Sequence, residues 1–232
     1  MELIFKTVLS AVVLLLAGCD TNAAKHPTAI DFGDSVSLGY SGPARFDLNG
    51  KVDYRHNPWM DENIAAYNSD YYFWNETKHG ENDGWSYTLL VTMEQELSDQ
   101  HYNVILFNAG LHDAQINRQT LLSTYSSNLE AIATLAAKHA DYVIWVDTTP
   151  VPVDVDAASG MLGTPENAQI PYNAVAEGVA RAHGFYILNL DSRDQLLHNV
   201  HYTHEGYKYL GKQVSACILL VLERTYSNRC HK

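Results

Sequence analysis

The chain is poor in positive charge and in cysteine. Fifteen Lys and Arg stand against 27 Asp and Glu in 232 residues, for a net charge of −12, and the basic residues form no cluster. That excludes a nucleic-acid binder, which needs a positive footprint for phosphate. No apolar run reaches the ~20 residues a bilayer-spanning helix needs. There is no internal repeat and no low-complexity segment, so a repeat architecture is excluded. Three cysteines are present, and one lies in an N-terminal segment outside the fold. That leaves at most one disulfide for the domain. The remaining composition, 46% hydrophobic and 18% charged, is that of a globular protein, and the length suits one α/β domain better than two.

The first 18 residues read as a targeting segment. Lys6 supplies the positive start, and Val8 to Ala17 form an apolar core of signal-peptide length. The run Leu16-Ala17-Gly18-Cys19 resembles the bacterial lipobox, in which the cysteine becomes the lipid-bearing first residue of the mature protein. The alternative is an ordinary secretory signal with an incidental cysteine. Asp20 resembles the inner-membrane retention signal of enteric bacteria, and which membrane holds the anchor stays open. Residues 19–27 are the modified cysteine and a short polar tether, and Asp20 to His26 reach ~25 Å when extended. Residues 28–232 form the domain. The expected location is the bacterial cell envelope, lipid-anchored, on the periplasmic side. In an oxidising compartment Cys217 and Cys230 are expected to pair. The bond would contribute ~3 kcal/mol in the chain-entropy model, and two free thiols are the alternative.

From Thr28 onward, strand and helix patterns alternate. Strands are expected at Thr28–Phe32, Lys51–His56, Asn103–Asn108, Tyr142–Val146 and Phe185–Leu190. Helices are expected at Trp85–Leu97, where Leu89, Met93 and Leu97 lie four apart, and at Leu121–His139, Ala168–His183 and Glu205–Tyr226, the last with Thr203 as N-cap. Strands separated by helices argue a parallel, doubly wound sheet. Residues 57–84 hold an aromatic cluster without a clean period, whose preferred reading is packing against the domain rather than stacking on sugar rings.

Three polar blocks then fall at carboxyl ends of expected strands. Gly33-Asp34-Ser35 follows the first strand and opens a helix. Gly110-Leu111-His112-Asp113 follows the strand at 103–108. The third, His201-Tyr202-Thr203 with Gly206-Tyr207, precedes the last helix. A serine nucleophile needs a base within hydrogen-bond reach and donors for the oxyanion, and these loops can converge in one crevice.

In these blocks, and in their order, the chain resembles the SGNH hydrolases, the GDSL lipase/esterase family, over about Ile30 to Leu219. The Phe107–Asp113 run with Thr148-Thr149-Pro150-Val151 and Tyr172-Asn173 looks like a bacterial subgroup with Gly-Leu-His-Asp in its third block. The resemblance implies a flavodoxin-like three-layer α/β/α sandwich with a mainly parallel sheet. It implies Ser35 as nucleophile, His201 as base, and an oxyanion hole from the Ser35 amide, the residue at 112, and the loop bearing Asn82 and Gly84. His112 stands where the family has asparagine; an imidazole N–H can replace the amide donor, and simple packing is the other reading.

His198 stands where the family usually has the aspartate that orients the histidine. An imidazole cannot supply that negative charge. A backbone carbonyl can hold the ring, as in Ser-His dyads, or Asp194 or Asp191 can reach it. The three-residue spacing of His198, His201 and His204 would suit a metal on a helix, but Gly206 and Asn199 argue against a helix there, so no metal and no cofactor is expected. Asp34 and Asp113 read as structural, bonding loop amides. The resulting expectation is a serine ester hydrolase for a small-molecule or glycan ester, of the carbohydrate or short-acyl type. O-acyl transfer to a sugar hydroxyl and a non-catalytic glycan-binding lipoprotein are the alternatives.

Overall fold

A computed structural model describes residues 26–57, 84–153, 155, 161–192, 197–223 and 230. Five strands make one sheet: β1 (Thr28–Phe32), β2 (Asp53–His56), β3 (Tyr102–Phe107), β4 (Ala140–Val146) and β5 (Tyr186–Leu188). Their order is β2-β1-β3-β4-β5, and every pairing is parallel. The helices are α1 (Ser35–Leu48), α2 (Ser86–Glu96), α3 (Leu122–His139), α4 (Ile170–Ala182) and α5 (His204–Leu222). A small antiparallel hairpin, β6 (Leu197–His198) and β7 (His201–Tyr202), precedes α5.

Alternation along the strands builds two cores. Ile30, Phe32, Ile105, Phe107, Val143 and Trp145 face α2, α3 and α4. Ala29, Val104, Leu106, Ile144 and Val146 face α1 and α5. With both faces covered, the strands read as nearly unbroken apolar runs. The helical spacing of Leu89, Met93 and Leu97 becomes a fully buried stripe, each side chain stabilising by ~2 kcal/mol. The result is the three-layer α/β/α sandwich.

One carboxyl interrupts the α1-facing core. Asp31 in β1 is fully buried, and the Tyr54 hydroxyl donates to it at 2.8 Å. Burial pushes it up to about 7, against the lowering effect of its bonds with Tyr54 and Tyr40.

The element boundaries depart from expectation in a few places. The last sheet strand spans three residues, not six: the Phe185 amide is taken by the Ala180 carbonyl at the end of α4, and the Asn189 side chain bonds Asp147 beyond β4. The final helix stops at Leu222 with Glu223 as its C-cap, short of Tyr226. The β6–β7 hairpin and a 3-10 turn at Ile116–Arg118 were not expected; such short pieces leave no periodic signal. Cys217 and Cys230 are bonded, with Cα atoms 5.2 Å apart, and the Cys230 amide donates to the Ile187 carbonyl on the edge strand β5. Among the described residues no helix is long and apolar enough to cross a membrane. Cys19, Asn82, Asp194 and the aromatic cluster at 67–74 lie outside the described residues.

Candidate active site

In the order β2-β1-β3-β4-β5 the chain's progress across the sheet reverses between β1 and β3. Open parallel sheets form a crevice at the carboxyl ends of such a pair. Gly33 to Ser35 leave β1 there, and Asn108 to Asp113 leave β3 beside them. Gly33 has no room for a side chain, since a Cβ would lie 1.8 Å from Asn108 Oδ1. This absence lets the two loops close on each other.

Asp34 caps α1. Its carboxylate accepts from the amides of Val36 at 2.9 Å and Ser37 at 3.3 Å. Ser35 is therefore the first residue of the helix, half-buried at the crevice floor. Its own N–H belongs to the first turn, where helical amides have no intrahelical acceptor. Ser35 Oγ lies 2.9 Å from His201 Nε2 across 166 residues of sequence.

His201 arrives on the hairpin. β6 and β7 pair so that His198 and His201 are cross-strand neighbours, and Asn199 takes the left-handed conformation at φ 65° that the tight turn needs. Tyr202 is buried against Tyr207, and Thr203 caps α5 by accepting the Gly206 amide at 3.2 Å. These contacts fix the strand that carries the imidazole.

His112 follows β3 on the opposite wall. Burial lowers its proton affinity, the charge of His201 lowers it further, and Asp34 acts in the other direction. The ring is thus neutral near neutral pH and lies within electrostatic reach of both groups. Trp85 packs against it with centroids 4.8 Å apart, and the Arg118 guanidinium covers the indole at 5.6 Å. Gly84 closes over the ring: a Cβ there would come within 2.0 Å of His112 Cδ2. Asp113 holds the start of α2 beneath this stack, accepting the Ser86 amide at 2.9 Å and its hydroxyl at 2.8 Å. Burial raises the Asp113 carboxyl, and its bonds with Thr120 and Ser86 oppose the rise.

Ser35 thus meets His201, and His112, which lies against Gly84, is within electrostatic reach of His201 and Asp34. Asp191 lies on the solvent side, where its carboxylate accepts the Tyr209 hydroxyl at 2.7 Å. Among the described residues no group of three His, Cys, Asp or Glu could hold a metal. Two fully buried polar residues beside the nucleophile, Ser37 and His56, join at 2.8 Å; a single histidine ending a strand gives no sequence signal for this. Trp85 and Arg118 were likewise missed, since their stack with His112 exists only in three dimensions.

No protein-family model matches the chain, and no curated protein matches it. Solved structures do. A GDSL-like lipase from Bacteroides thetaiotaomicron aligns at TM-score 0.57 and 19% identity, covering 86% of this chain and 89% of the other. A lipase/acylhydrolase from Enterococcus faecalis gives TM-score 0.57 and 17% identity over 82% of this chain and 93% of its own. An acetylxylan esterase from Geobacillus stearothermophilus gives TM-score 0.57 and 11% identity over 88% and 96%. The chain has the SGNH hydrolase fold. At such identities the likeness concerns the fold, and the chemistry of this SGNH-type domain has to be argued from its own side chains.

Proposed function

We propose that the protein is a serine ester hydrolase that works through an acyl-enzyme on Ser35. The observation that carries this reading is the 2.9 Å contact between Ser35 Oγ and His201 Nε2 at the open end of the sheet. Ser35 Oγ attacks the ester carbonyl carbon while His201 Nε2 takes the hydroxyl proton. The carbonyl electron pair moves onto oxygen, and the Ser35 amide donates to that oxyanion. Neutral His112 supplies one N–H as the second donor, in place of a side-chain amide, and Gly84, packed against His112, borders the hole. The intermediate collapses, and His201 passes its proton to the leaving alcohol. Water then attacks the acyl-enzyme with His201 again as base, releasing the acid and restoring Ser35.

The substrate we assign is a small acyl ester of a carbohydrate. The fold neighbours that are acetyl xylan esterases support this choice. The same proposal includes anchoring by lipid on Cys19 at the periplasmic side of a bacterial envelope, supported by the Leu16-Ala17-Gly18-Cys19 segment.

The test treats the full chain, expressed in a bacterial host, with a fluorophosphonate and reads the intact mass. One adduct is expected, and Ser35→Ala should carry none. A folded protein that takes no adduct refutes the nucleophile. The same spectrum reads the N-terminus: a chain starting at Cys19 with added acyl mass is expected, and an unprocessed chain refutes the anchor.

A further inference from the structure

The Asp34–Ser35 peptide has two ends with different duties. Its N–H, on Ser35, faces the crevice as the oxyanion donor of the hydrolase reading, on which this inference rests. Its carbonyl, on Asp34, points into the protein. There it accepts the Leu38 amide at 3.0 Å and the Ser37 hydroxyl at 2.7 Å. Ser37 Oγ also lies 2.8 Å from His56 Nε2. A serine hydroxyl has one proton. At 2.7 Å two oxygens need a proton between them, so the Ser37 proton goes to the Asp34 carbonyl. His56 must then carry its proton on Nε2 and donate it to Ser37 Oγ. Burial pushes His56 down to about 3, so the ring is neutral and has a single N–H to give.

The capping of α1 does not require this chain. The Asp34 carboxylate already takes the Val36 and Ser37 amides, and Leu38 already bonds the Asp34 carbonyl in the helical manner. The extra donor is supplied from a different element. His56 ends β2 and is the register partner of Asp31 in β1, and the Asn57 amide donates to the Asp31 carbonyl at 2.7 Å. Ser37 and His56 are both fully buried.

We propose that His56 and Ser37 are positioning residues for the oxyanion donor: the chain His56 Nε2–H to Ser37 Oγ–H to the Asp34 carbonyl fixes and polarises the peptide whose N–H is that of Ser35. The peptide is planar and resists twisting, so holding the carbonyl oxygen aims the N–H at the opposite end. Hydrogen bonds to a carbonyl strengthen the donor on the same peptide through cooperative polarisation. The Ser35 amide is thereby aimed before substrate arrives, which is the condition under which such donors act on rate.

The test uses Ser37→Ala, His56→Leu and His56→Gln, each confirmed folded by its thermal transition. Turnover of p-nitrophenyl acetate is followed together with the inhibition constant of a boronic acid, which forms a tetrahedral anion on Ser35. Ser37→Ala and His56→Leu are expected to lower kcat about 10- to 100-fold with KM nearly unchanged, and to weaken boronate binding by a similar factor. His56→Gln, which keeps an N–H donor, should retain most of the rate. The double variant should be little worse than the poorer single one, because both break the same chain. The Ser35 amide proton resonance should move upfield in Ser37→Ala, a readout that needs no turnover. An unmoved resonance with unchanged kcat and boronate affinity overturns the proposal. Wild-type protein that takes no fluorophosphonate while the resonance still moves would refute the hydrolase reading and leave the brace standing. Should Ser37→Ala not fold, the contrast between His56→Leu and His56→Gln decides in the same way.

Discussion

Two serine–histidine pairs share the first turn of α1. Ser35 meets His201 at 2.9 Å, and Ser37 meets His56 at 2.8 Å, so bond length does not distinguish them. Their surroundings do. Ser35 is half-buried at the crevice, at the first position of the helix, with its hydroxyl directed to a histidine from the far end of the chain. Ser37 is fully buried, and its proton is committed to a backbone carbonyl. A base that takes a proton needs a substrate to pass it to, and the interior pair can meet none. The same two residue types serve as nucleophile and base in one place and as a strut in the other, and access and the destination of one proton decide which.

The contrast is broken most severely at His201. Without the base, His201→Ala should lose on the order of 10⁴ in kcat, far beyond any loss at His56; steady-state rates on p-nitrophenyl acetate compare the two. Equal losses would mean that the Ser35–His201 pair has no special role. His112→Ala ranks next, at about 10²- to 10³-fold in kcat with little change in KM. His112→Asn, which restores an amide donor, should recover much of that rate. A value for His112→Ala within a factor of about 2 of wild type would return His112 to simple packing.

The last effect falls on stability rather than on rate and sharpens the interior half of the comparison. Asp31, raised from 3.8 to about 7, and His56, lowered from 6.5 to about 3, are register partners. From about pH 4 to 6.5 the folded chain keeps a proton on Asp31 that the unfolded chain has released, so this contribution to stability falls as pH rises. Over the same range the folded chain lacks a proton on His56 that the unfolded chain holds, so this contribution rises with pH. At 1.36 kcal/mol per unit, each is on the order of 4 kcal/mol, and they oppose each other. Asp31→Asn should therefore leave a protein that loses stability as pH falls from 6.5 towards 3. His56→Gln should leave one that loses stability as pH rises from 4 to 7. Urea unfolding across that range reads both slopes, and two slopes of the same sign would contradict the assignment.

The parallel sheet, most of its strands and helices and the three polar blocks beside them were legible because each leaves a local trace. Apolar runs mark β1 and β3, four-residue spacing marks α2, and Gly33-Asp34-Ser35 and His201-Tyr202-Thr203 carry turn and cap chemistry in their own letters. Contacts made only by folding were not legible. Trp85 reads as the start of a helix until its ring is found against His112, and His56 reads as a polar strand end until Ser37 is found beside it. The hairpin that presents His201 is built from two-residue strands, below the length at which alternation can be recognised.

The uniform direction of the sheet also decides what the crevice looks out upon. All five strands run the same way, so the chain enters β1 at Thr28 on the edge opposite the one where Ser35 leaves it. The crevice where Ser35 meets His201 is thus separated from Thr28 by the full length of β1, and whatever reaches the serine does so from the end of the sheet at which the strands finish.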